Sequence, residues 1–122
     1  MRRALTLVVT VCAGAALAQD TVPSGLSPEL FDMVIEAEAG IARFRFVLPV
    51  LATVGHDAVA ADFQWLCDNW ALPELAANGW TARSVIISIS DREMALGTVE
   101  PAAVQFFEGF AITTGTCEWE PF

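Results

Sequence analysis

The chain has no lysine and no tyrosine, a single histidine, and six basic residues against fifteen acids, for a formal net charge of −9. A surface so poor in positive charge repels phosphate backbones and anionic headgroups, which argues against nucleic-acid binding and against peripheral membrane attachment. One imidazole, His56, and three cysteines are too few donors for a zinc cluster once a disulfide is allowed for. No loop has EF-hand spacing, no serine stands in a G-x-S-x-G elbow, and without lysine there is no Ser-Lys pair. No repeat or low-complexity tract interrupts the chain, and no apolar run reaches the ~20 residues that span a bilayer.

The longest apolar stretch, Ala4 to Leu17, follows the basic pair Arg2-Arg3 and ends in Ala16-Leu17-Ala18, with polar Gln19 and Asp20 beyond. That layout is a secretory leader with a small-x-small cleavage signal, so residues 1–18 read as a cleaved signal peptide, cut after Ala18. Export to the periplasm or the medium follows. The stretch is too short, and its flanks are wrong, for an uncleaved anchor. Cys12 makes a poor lipidation site because Val11 stands where a small residue is needed. The cut leaves 104 of the 122 residues, enough for one domain, with four arginines against the same fifteen acids and a net charge of −11. Solubility is the simplest use of that charge.

Two cysteines remain, Cys67 and Cys117, and two cysteines in an exported domain are expected to pair. Residues 19–28, QDTVPSGLSP, read as a lead-in segment and residues 29–122 as a single domain. Leu30 to Ala37 and Ile41 to Leu48 read as a hairpin turning at Ala39-Gly40, with Glu36 facing Arg43, Ile35 facing Phe44 and Met33 facing Phe46. After a connector, Pro49 to Gly55, a helix is expected from Asp57 as N-cap, its buried stripe being Val59, Phe63, Leu66, Cys67 and Trp70. Asp62, Asp68 and Asn69 fall outside that stripe. Pro73 should stop or kink the helix, and Asn78-Gly79 should end it.

Ser84 to Ser90 is a strand, apolar at Val85, Ile87 and Ile89 and largely small on its other face. Ala103 to Thr113 and Thr116 to Glu120 form a second hairpin turning at Thr114-Gly115, which sets Phe110 opposite Trp119 and Ile112 opposite Cys117. Cys117 then points at the helix face that carries Cys67, so the bridge is expected between helix and sheet. The expected fold is α+β, in the order β-β-α-β-β-β. It is a mostly antiparallel sheet of about five strands with one principal helix on one face, braced by a disulfide.

The chemistry on offer is thin. Arg43 and Arg45 alternate with Phe44 and Phe46 and could grip an anion, but surface ion pairing with acids such as Glu36 is the favoured reading. His56 beside Asp57 suggests a general base without a nucleophile, and reads better as a loop or capping residue. Ser84, Ser88 and Ser90 read as small residues for close packing. Glu108 shares strand parity with Phe106, Phe110 and Ile112, so strict alternation would bury it, while a bulge at Gly109 would turn it outward; the bulge is preferred. An enzyme should bring at least two of Glu108, His56 and the serines into one concave pocket, and a binding module should not.

Taken together, VPSG (Val22 to Gly25), FRFVLP (Phe44 to Pro49), LCDNWALP (Leu66 to Pro73), VIISISDR (Val85 to Arg92), QFFEGF (Gln105 to Phe110) and CEWE (Cys117 to Glu120) carry a resemblance. The chain resembles a family of small exported proteins of alphaproteobacteria known as a domain of unknown function. The resemblance implies export and the disulfide, and it supplies no catalytic residues. The resulting expectation is a non-catalytic periplasmic module that binds another protein or a small ligand. It has no assigned catalytic, cofactor-binding or metal residue, and no membrane contact after leader removal. A small hydrolase-like enzyme using Glu108, His56 or a strand serine is the alternative.

Overall fold

Alternating strands and one long helical connection dictate the architecture seen in the computed structural model, which describes residues 21–122. The expected signal peptide, the cut after Ala18 and Cys12 lie outside the described residues. Five strands, β1 (Glu29–Glu36), β2 (Ile41–Val47), β3 (Ser84–Ser90), β4 (Gln105–Thr113) and β5 (Thr116–Trp119), form one sheet in sequential order. The helical connection between β2 and β3 comprises α1 (Leu51–Val54), α2 (His56–Val59), α3 (Asp62–Leu66), a π-helical turn (Cys67–Ala71) and α4 (Leu72–Asn78).

The sheet is mostly antiparallel, as expected, but not purely so. β1–β2, β3–β4 and β4–β5 are antiparallel, but β2 and β3 run parallel. A helical connection this long carries the chain back along the sheet to the end where β2 began, and β3 then enters in the same direction. Arg83 and Ser84 both donate their backbone N–H to the Gly40 carbonyl, which locks that entry point to the β1–β2 turn. Gly40 has φ +70°, and a Cβ there would lie 2.8 Å from the Arg83 Nε. The positive φ is what favours glycine, since the near neighbour is the flexible, exposed Arg83 side chain, which can move aside.

That turn also corrects the first hairpin. Gly40 closes a four-residue turn rather than sitting at its centre, so Glu36 pairs with Ile41, Ile35 with Ala42 and Met33 with Phe44. The register is therefore shifted by two residues from the expected one. A shift of two keeps every side chain on its face, and Glu36 still reaches Arg43 diagonally, at 2.6 Å from its Nε. A bulge between Leu30 and Asp32 sets Phe31 out of alternation. The second hairpin forms as expected, with Phe110 opposite Trp119 and Ile112 opposite Cys117.

One sheet face carries Phe44, Phe46, Val85, Ile87, Ile89 and Phe110, all buried, and the helices cover it with Leu51, Val59, Phe63, Leu66, Ala71 and Leu75. Cys67 and Cys117 bridge the two layers, their Cα atoms 6.2 Å apart. The helical run departs from expectation in four places. Pro49 to Gly55 is not a plain connector, since it contains α1. Asp57 is not an N-cap but an exposed residue in the first turn of α2, which Gly55 caps. Pro73 does not stop the helix, because the π turn precedes it and Pro73 falls in the first turn of α4, where a missing N–H is tolerated. The π turn also advances the helical phase, so Ala71 takes the buried place expected of Trp70, which is 41% exposed and meets the Phe46 ring edge-on. Asn78-Gly79 ends the helix as expected, with Gly79 left-handed and Trp80 N–H donating to the Leu75 carbonyl.

Asp62 is the largest departure. Expected outside the stripe, it is fully buried and accepts two hydrogen bonds from Ser24, from the backbone N–H at 2.9 Å and from Oγ at 2.6 Å. Val22, two residues before Ser24, is buried in the core. The lead-in segment is therefore strapped onto the helix layer.

Candidate functional site

Among the described residues, the sheet face opposite the helices has no second layer. Alternation places Arg43, Arg45, Ile86, Ser88 and Phe107 there, with Arg45 beside Ser88 and Ser88 beside Phe107. What partly covers this face is the loop between β3 and β4. Asp91 holds the base of that loop by accepting from the Val104 N–H at 3.1 Å and from the Arg92 guanidinium, which in turn donates to the Ala102 carbonyl. The Arg92 hydrogen bond first, and the Val104 N–H with it, keep the Asp91 carboxyl below its ordinary range. Between loop residues Met94–Thr98 and the strands lies a groove of about 360 Å³. An adjoining hollow of about 500 Å³ continues past Ile86 and Phe107 to Phe122. Gly109 sits under the Phe122 ring, where a Cβ would be 3.4 Å from the ring carbon Cζ.

The two arginines in this groove do different work. Arg45 is buried, donates from one terminal nitrogen to Asp32 at 2.7 Å and from the other to the Met94 carbonyl at 2.9 Å, and stacks over the bulged Phe31 ring. It fastens the loop to the sheet, so the ion pair expected at the surface joins a buried arginine to a partly exposed carboxylate. Arg43 spends only Nε, on Glu36, and its terminal nitrogens donate to no group among the described residues. Phe107 and Leu96 remain about half exposed beside it.

A second concavity, of about 270 Å³, opens on the helix side at the β5 edge, lined by His56, Gln64, Glu108 and Trp119 over a floor of Phe63 and Phe110. Glu108 follows strict alternation, because the β3–β4 register runs unbroken through Gly109, and the expected bulge does not form. Glu108 accepts from the Trp119 indole at 2.6 Å and lies 3.7 Å from His56 Nε2. His56 also approaches Asp57 and packs against Phe63 and Phe106. Two of the residues named as candidates from the sequence thus converge in one pocket.

The serines do not join them. Ser84, Ser88 and Ser90 share the opposite sheet face, so the sheet itself separates them from His56. Ser90 Oγ donates to the Arg92 carbonyl. Ser88 Oγ is buried with no hydrogen-bond partner among the described residues. Sequence reasoning missed Gln105, Leu96 and Phe107 as groove residues, since nothing in a single strand pattern shows which face stays uncovered. Among the described residues no three His, Cys, Asp or Glu side chains converge as a metal-binding group, and no helix is long and apolar enough to cross a membrane.

No curated protein and no solved structure matches this chain. The segments from VPSG to CEWE nonetheless point to the right grouping: the chain belongs to the Family of unknown function (DUF6497), whose family model matches residues 7–122.

Proposed function

We propose that this is an exported, non-catalytic binding module whose ligand lies in the groove on the uncovered sheet face. The observation that carries the reading is Arg43, a half-buried arginine with two uncommitted terminal nitrogens, set beside exposed Phe107 and Leu96 in a concavity large enough for a small molecule. The leader-like residues 1–18 support a periplasmic or secreted address, and the acidity argues against nucleic acid and anionic membrane as partners. The test is native mass spectrometry of the protein exported with its own leader. A small molecule is expected to leave with the wild type and to be missing from Phe107→Asp, a half-exposed position where substitution should move stability by only about 0.5 kcal/mol. Recovery of the same mass from both proteins, or of none from either, overturns the reading.

The convergence of His56 and Glu108 in one pocket meets the criterion that separates an enzyme from a binding module, and it favours a second reading, hydrolysis by an imidazole–carboxylate pair that takes a proton from water. Under that reading p-nitrophenyl acetate is cleaved, and His56→Ala and Glu108→Gln each cut the rate by about a hundredfold. Under the binding reading both variants keep the groove ligand and the wild type shows no turnover above free imidazole.

A further inference from the structure

We propose that the groove's ligand carries one carboxylate on an apolar body, with the carboxylate held between the Arg43 terminal nitrogens and the Ser88 hydroxyl. This rests on the groove being the binding site. Ser88 is 3% exposed, and its Oγ is a buried side-chain polar atom with no partner among the described residues. Buried hydroxyls are nearly always hydrogen-bonded, so this one is a donor in want of an acceptor. The hollow above it, bounded by Arg43, Arg45, Ile86, Leu96 and Phe107, measures about 10 Å³. That admits one oxygen-sized group and no ring or chain.

Two further observations choose the head group. Arg45 is committed to Asp32 and the Met94 carbonyl, whereas Arg43, which also lines the hollow, has spent only Nε, on Glu36. A fork and a hydroxyl suit a planar carboxylate, one oxygen on the guanidinium and one shared with Ser88. Charge then decides between carboxylate and phosphate. Arg43 and Arg45 are already balanced by Glu36 and Asp32, in a protein of net charge −9. A monoanion brings one charge to a site that is locally neutral, and a phosphate monoester dianion brings nearly two. The body of the ligand lies along Ile86 and Phe107 in the adjoining hollow, where apolar area still faces water.

The probes are decanoate, 1-decanol and decyl phosphate, titrated calorimetrically into the full protein at pH 8. Decanoate is expected to bind at least about tenfold tighter than either of the others. Arg43→Gln should weaken decanoate about tenfold to a hundredfold and leave decanol unchanged, the range of a charge-assisted hydrogen bond. Ser88→Ala should weaken it about fivefold, as a single neutral donor does. Unchanged thermal midpoints in both variants show that the fold is intact. Equal binding of decanol and decanoate, a neutral Arg43→Gln, or no binding of decanoate overturns the carboxylate while leaving the groove to be judged by co-purification. Tightest binding of decyl phosphate overturns the choice of head group. Decanoate affinity that survives Phe107→Asp overturns the groove itself, and this proposal with it.

Discussion

Replacing both Cys67 and Cys117 by alanine should lower the stability of the protein by about 4 kcal/mol and its thermal midpoint by roughly 15–30 °C. The bridge joins residues separated by 50 in sequence, and closing a loop of that length withdraws a large part of the unfolded chain's freedom. Its place in the fold adds to the effect. Among the described residues β5 is a four-residue edge strand, hydrogen-bonded only to β4. Beyond the bridge, the Gln64 amide donates to the Cys117 carbonyl, and Trp119 shares a pocket with His56 and Phe63 of the helix layer. Without the bridge β5 should fray, and the Trp119 indole should leave Glu108. Urea unfolding of the double variant, with amide exchange at Trp119, measures both consequences. A loss below about 1 kcal/mol would show that the bridge restrains little in the unfolded chain and sink the prediction.

The same pair of cysteines shows what a single sequence makes legible. The β4–β5 register and the meeting of Cys67 with Cys117 follow from local rules, a two-residue turn at Thr114-Gly115 and strict alternation on either side. Glu108 obeyed alternation too, and the bulge invoked to rescue it was unnecessary because Trp119 supplies a hydrogen-bond partner at the sheet edge. The first hairpin kept its faces but not its register, since a positive-φ glycine does not say whether it ends a turn or centres it. The π turn was illegible because it changes the helical period by one residue without any marker beyond Pro73 two positions later. The parallel β2–β3 pair depends on where a long connection returns, which periodicity cannot show. The groove was the least legible feature: Arg43 and Arg45 read alike in sequence, and only the loop carbonyl at Met94 and the bulged Phe31 separate the fastener from the free fork.

Replacing Asp62 by alanine should cost about 2–3 kcal/mol, second only to the loss of the disulfide. Its carboxylate is fully buried among helices yet accepts from both Ser24 donors, and Ser24 Oγ in turn accepts from the Leu26 N–H at 3.1 Å. Hydrogen bonds to a charged acceptor are each worth about 1.5–3 kcal/mol. Removal of a buried carboxylate also relieves its desolvation, so the two bonds do not add in full. The loss should be local as well as global. With Asp62 gone, the Ser24 N–H has no acceptor, the chain from Val22 to Leu26 lifts, and Val22 leaves the core. Asp62→Asn, which keeps one acceptor oxygen for two donors, should fall about halfway. Ser24→Ala, which deletes only the hydroxyl bond, should cost about 1 kcal/mol. Urea unfolding gives the totals, and amide exchange at Ser24 and Leu26 shows whether the strap opens before the domain does. If Asp62→Ala stays within about 0.5 kcal/mol of the wild type, the strap contributes nothing to stability and the lead-in segment merely rests on the surface. If exchange at Ser24 speeds up while β3 stays protected, the strap is a separately opening unit held by one carboxylate.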